Sequence, residues 1–76
     1  MKDLLEHIVR SLVDQPDEIE VHESDEDDST LLELRVAPED LGKVIGKQGR
    51  TARSIRTLLA VAGERQQKKV VFEILE

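Results

Sequence analysis

Apolar and polar positions follow two different periods along this chain. Leu4, Leu5, Ile8, Leu12 and Val13 recur at helical spacing, with Lys2, Glu6 and Arg10 between them. They predict a first helix over residues 1–13, with Asp3 as its cap and Glu6 three residues later as in a capping box. Asp14-Gln15-Pro16-Asp17 is expected to end it, because proline cannot continue a helix. Ile19 and Val21 then alternate with Glu18, Glu20 and His22, the period of a half-exposed strand. Residues 24–29 are a polar turn cluster, and Leu32, Leu34 and Val36 alternate with Glu33 and Arg35 to give a second strand. The two strands read as a hairpin.

Pro38-Glu39-Asp40 opens a short helix, since proline suits a first helical turn and acids suit its positive end. Leu41, Val44 and Ile45 form its apolar side. Gly46 and Gly49 interrupt the pattern. A third helix is predicted over residues 50–62, with Ala52, Ile55, Leu58, Leu59 and Ala62 as its apolar stripe and Gly63 as its C-cap. Val70, Phe72 and Ile74 alternate with Val71, Glu73 and Leu75, a last strand expected to be buried mostly on both faces. The pattern gives an α+β fold: a three-stranded sheet with three helices on one face. The length fits one domain over residues 1–76 and a thin core, which makes a deep catalytic pocket an unexpected feature.

Charge changes this picture. The net charge is −6, which by itself speaks against a polyanionic partner. Its distribution speaks the other way. Residues 1–40 carry 3 Lys/Arg against 14 Asp/Glu, whereas residues 41–76 carry 8 against 3. Between Lys43 and Lys69 the only acid is Glu64. On charge alone, such asymmetry fits a local basic surface and two oppositely charged, solvated faces without a ligand about equally well.

The basic half contains the informative segment, which runs from Gly42 to Ile55. Two helices meet at a four-residue turn, Gly46-Lys47-Gln48-Gly49, with glycine at both ends. Glycine permits positive φ and lets a ligand backbone approach closely. The third helix starts just after Gly49, so its unpaired N–H groups and positive end face the turn. Lys47 lies within the turn, and Lys43, Arg50 and Arg53 flank it. These features favour a phosphate-bearing chain, with Val44 and Ile45 as a shallow wall for bases. A merely structural corner would need the glycines but not the surrounding cations. Arg56 is as well explained by a solvated helix face.

Val44-Ile45-Gly46-Lys47-Gln48-Gly49, followed by Ile55, resembles the signature of KH domains, in which a G-x-x-G loop clamps four nucleotides of a single strand. The element order resembles the prokaryotic, type II form (α-β-β-α-α-β). Residues 46–53 are similar to the loop and helix start of the bacterial stand-alone KH proteins called the KhpA family. Many KH domains carry a larger aliphatic residue where Ala52 stands. The resemblance implies a small cytoplasmic RNA-binding protein that acts as an RNA chaperone or post-transcriptional regulator. It also implies a homodimer, or a heterodimer with a larger KH-containing protein. The implied RNA-contacting residues are Lys43, Val44, Ile45, Gly46, Lys47, Gln48, Gly49, Arg50 and Arg53. The second reading is a KH fold used for dimerisation, with little RNA affinity of its own.

Other chemistries fit poorly. A phosphate-binding loop of the Walker type would need glycine at Leu41 and Ser or Thr at Gln48. No dinucleotide fingerprint occurs. Recognition by aromatic stacking has only Phe72 to draw on, and its pattern position is core. The chain has no cysteine, so thiolate metal sites and disulfides are excluded. His7 and His22 stand alone in sequence, without a nucleophile or ligand set. Asp25-Glu26-Asp27-Asp28 lacks the glycine and closing glutamate of a calcium loop and reads as a solvated hairpin tip. No apolar run is long enough to span a bilayer. Neither an enzyme nor a cofactor is expected.

Overall fold

The computed structural model describes residues 1–76. Helix α1 spans Lys2–Arg10 and presents Leu5 and Val9, one turn apart, to the core. It is shorter than its apolar pattern. The Ser11 hydroxyl donates to the Ile8 carbonyl at 2.6 Å, and Leu12 and Val13 complete a turn through their N–H bonds to Val9 O. The expected capping residues are not used, for α1 has no side-chain cap of its own. Instead Glu23, in the first strand, accepts the Lys2 N–H at 2.9 Å. Pro16 does not end the helix but starts a separate 3-10 turn, Pro16–Glu18.

Strands β1 (Glu20–Asp25) and β2 (Ser29–Arg35) pair antiparallel with Val21 opposite Leu34. The hairpin is longer than its polar cluster implied: Ser24 and Asp25 belong to β1, and the connection shrinks to residues 26–28. Asp25 is paired rather than merely solvated. It accepts the Thr30 hydroxyl at 2.6 Å and lies 3.2 Å from Lys68 Nζ, which together hold its carboxyl below the usual range. After β2 comes a 3-10 turn, Pro38–Asp40, and then α2 (Leu41–Ile45). Helix α3 spans Arg50–Arg65, and β3 (Lys69–Ile74) returns parallel to β2. The sheet order is β1-β2-β3. The fold is α+β with the order α-β-β-α-α-β expected of a type II KH domain.

The helices cover one face of the sheet. Thr30, Leu32 and Leu34 of β2 are buried, while Arg35 is exposed. Leu5, Leu32, Leu34, Val44, Ile55, Leu59 and Phe72 join one core. Three expectations need correction here. Strand β3 is buried on one face only, and Val71 is 40% exposed because nothing covers the outer face of this edge strand. On α3, Leu58 is 53% exposed. At about 100° per residue, Ala52, Ile55, Leu59 and Gly63 cluster around one direction, and Leu58 falls outside that stripe. Gly63 is not a C-cap either, since α3 continues two residues beyond it.

Candidate nucleic-acid interface

The turn between α2 and α3 owes its shape to positive φ at three of its four residues. Gly46 ends α2 at φ 77° and ψ 171°. Residues Lys47–Gly49 form a 3-10 turn in which Gln48 is left-handed, at φ 58° and ψ 25°. Gly49 is also left-handed, at φ 74° and ψ 14°, and occupies the N-cap of α3. The loop is tied by Gly46 N–H to Gly42 O at 2.8 Å and by Gly49 N–H to Gly46 O at 3.1 Å. Gly46 has no room for a side chain, because a Cβ there would sit 2.8 Å from the Thr51 nitrogen and closer still to the Thr51 side chain. A Cβ on Gly49 would meet only the end of Arg53, at 3.9 Å.

Three of the cations singled out from the sequence gather on this turn. Arg50 Nη2 donates to Gln48 Oε1 at 3.3 Å, and Arg53 Nη2 donates to the Gln48 carbonyl at 3.0 Å. Lys47 is exposed within the turn itself. None of these three has a carboxylate partner. Their charge is therefore unanswered within the chain, next to the positive end of α3.

Other basic residues are placed differently. Lys43 is bound to Asp14 and lies 3.8 Å from Asp40. The Asp14 hydrogen bond is the main reason its ammonium titrates above the ordinary lysine range. Arg56 donates to the Phe72 carbonyl at 3.3 Å, with its guanidinium 5.6 Å from the ring centre, so it lies along β3 rather than free in solvent. Among the apolar residues, Val44 is fully buried in the core and cannot itself form a groove wall. Ile45 is half-buried and retains that possibility.

Two residues of the site were not singled out from sequence. Asp40, 1% exposed, accepts the N–H groups of Asp14 at 3.1 Å and Gln15 at 2.9 Å. It pins the connection after α1 to the start of α2. Its only sequence signal was an acid beside a proline, which reads equally as a first-turn charge. For Asp14 the sequence offers only a place in a helix stop. The single cleft, of about 420 Å³, lies at the end of the sheet beside Pro38, Leu41 and Leu75 and includes none of the turn residues. No three carboxylate or imidazole side chains are placed to hold a metal ion, and no helix is long and apolar enough to cross a membrane.

The family model described as KhpA/KhpB, KH domain, matches residues 2–74. The chain belongs to the KhpA/KhpB KH-domain family. Curated relatives agree over nearly their whole length. The RNA-binding protein KhpA of Clostridium acetobutylicum is 57% identical over 75 residues, covering 99% of this chain and 100% of the relative. That of Bacillus subtilis is 51% identical over 76 residues, covering 100% and 94%. The Aquifex aeolicus protein of the same name is 49% identical over 76 residues, covering 100% and 96%. No solved structure matches the chain. In this KH domain the G-x-x-G tetrapeptide is Gly46-Lys47-Gln48-Gly49, the turn described above.

Proposed function

We propose that this KH domain binds single-stranded RNA through the Gly46–Gly49 turn, as a small cytoplasmic RNA chaperone or post-transcriptional regulator rather than an enzyme. The observation that carries the reading is the convergence of Lys47, Arg50 and Arg53, none paired with an acid, on a glycine-bounded turn at the start of α3. The relatives' name, RNA-binding protein, supports it. In this reading Lys47 and the turn backbone hold phosphates, Arg50 and Arg53 extend the grip along α3, and Ile45 with the glycines lets the strand lie close. Val44 contributes from beneath, by fixing α2 in the core.

Association with a second copy, or with a larger KH-containing protein, belongs to the same reading. The family model spans KhpA and KhpB. Leu58 and Val61, 53% and 49% exposed and one turn apart on α3, offer apolar surface for it. By the helical step of about 100° per residue they face away from Arg56 and share the flank of Arg50, but Leu58 lies about 12 Å further along the axis than Arg50. A dimer formed there leaves the basic turn free.

The test replaces Lys47 and Gln48 together by aspartate. Both glycines remain, so the turn keeps the angles only they adopt easily. Gln48 is already left-handed, a conformation aspartate tolerates better than most residues. Carboxylates at the N-terminus of α3 favour the helix. The fold is therefore expected to melt as the wild type does, while RNA affinity falls by roughly a hundredfold or more through repulsion where a phosphate lies. Titration of labelled single-stranded RNA is the measurement. Unchanged affinity in a normally melting double variant sinks the proposal.

A further inference from the structure

Lys43 differs from the other cations around the turn in being neutralised within the chain. Its ammonium donates to Asp14 and also faces Asp40 at 3.8 Å. The two carboxylates do different things. Asp40 is buried and committed to the Asp14 and Gln15 N–H groups. The Asp14 side chain is 75% exposed, and its only partner is Lys43. What fastens Asp14 to the fold is its backbone N–H, not its carboxylate. The carboxylate is thus free to serve another purpose.

We propose that Asp14 limits the affinity of the RNA site by withholding Lys43, its carboxylate standing where a phosphate would otherwise sit. The inference rests on the RNA-binding reading of the Gly46–Gly49 turn. Lys43 precedes Gly46 by three residues, about 4.5 Å along the helix axis, and so lies within a Debye length of about 10 Å from the turn. A carboxylate and a phosphate offer an ammonium the same kind of anionic oxygen. An exposed lysine is protonated at neutral pH with or without a carboxylate beside it, so the withheld charge is a full one. An exposed ion pair is weak and opens readily, so Asp14 tempers binding rather than blocking it. The result is a clamp of three working cations with a fourth in reserve, suited to holding RNA briefly and releasing it.

A double-mutant cycle decides the matter. Wild type, Asp14→Asn, Lys43→Met and the double variant are titrated with a short fluorescein-labelled mixed-sequence RNA over a series of salt concentrations. Asp14→Asn keeps the backbone hydrogen bond to Asp40 and should bind roughly three- to tenfold more tightly at low salt. Its plot of log affinity against log salt should steepen by about 0.7, the contribution of one further phosphate on a single strand. In the Lys43→Met background the same substitution should give no gain. Asp14→Ser serves as a second variant, with thermal melting as the check on each protein. Unchanged or weaker binding by Asp14→Asn and Asp14→Ser overturns the inference. A gain that persists without Lys43 also overturns it, since that gain would come from net charge alone. Failure of the RNA reading looks different: no member of the cycle binds RNA even at low salt, and both proposals fall together.

Discussion

At Gly46 the backbone stands at φ 77° and ψ 171°, a region that side-chain-bearing residues hardly enter. At Gly49 it stands at φ 74° and ψ 14°, ordinary left-handed space. The two glycines of the turn are thus not equivalent. At Gly49 an alanine meets only the backbone preference, a loss of about 1–2 kcal/mol. At Gly46 an alanine meets a stiffer preference and also the Thr51 nitrogen, which belongs to the first turn of α3 and cannot move alone. Gly46→Ala is expected to cost at least about 3 kcal/mol and Gly49→Ala about half that. Urea denaturation of the two variants checks the order, and equal losses would contradict it. The sequence made the need for glycine at both positions legible. It did not tell them apart, because the difference lies in where Thr51 packs. The same holds for Asp40 and Asp14, whose partners are more than twenty residues away or on the next element.

The elements themselves were legible where one periodicity dominates a segment. Leu32 and Leu34 on β2, and Ile55 and Leu59 on α3, fell on the core side as their spacing required. Boundaries set by tertiary contacts were not. Gly63 is the clearest case, for its position near the end of an apolar stripe resembles a C-cap. Its carbonyl in fact accepts the N–H of Lys68 at 2.8 Å, while Gln67 N–H bonds Glu64 O at 3.1 Å. That is the paired closure of a Schellman motif, with Gln67, at φ 58°, in the place glycine prefers. Gly63 is needed for a different reason. A Cβ there would lie 2.6 Å from Lys68 O and 2.6 Å from Val70 Cγ2, where the chain turns back into β3. Helix propensity alone makes Gly63→Ala stabilising by about 1 kcal/mol. The packing reverses the sign, and a loss of about 1–3 kcal/mol is expected. Gln67→Gly should do the opposite and stabilise by about 1 kcal/mol, by relieving the left-handed strain. Thermal melts of both variants test the pair. A more stable Gly63→Ala protein would mean that Lys68 and Val70 give way to the new methyl and that helix propensity decides the sign.

Over the whole molecule, the acidic half and the basic half fold into different surfaces. The acids of residues 1–40 sit mainly on α1, the hairpin and its tip, and three of the acids of this half answer bases of the other: Asp14 and Asp40 at Lys43, and Asp25 at Lys68. What remains uncompensated around the turn is Lys47, Arg50 and Arg53. A net charge of −6 therefore coexists with a local cationic site, and the two act on RNA over different ranges. The net charge repels at long range and is screened beyond about 10 Å at 0.1 M salt. The site attracts at contact, and its strength depends on the counterions that bound phosphates release. Each phosphate neutralised on a single strand contributes about 0.7 to the slope of log affinity against log salt. Three unpaired cations set that slope near −2 for the wild-type protein. Repulsion by the acidic surface makes the value measured at the lowest salt slightly shallower, because screening relieves it as salt rises. Replacing Arg53 by methionine should reduce the slope by about 0.7 and weaken binding to every RNA sequence alike. The measurement is a salt series on wild type and Arg53→Met with the same labelled single strand. A wild-type slope near zero would remove phosphate contact as the source of affinity. A slope steeper than about −4 would mean that Arg56, Arg65 and Lys69 also lie along the strand, and that the turn is only the start of a longer track over α3 and β3.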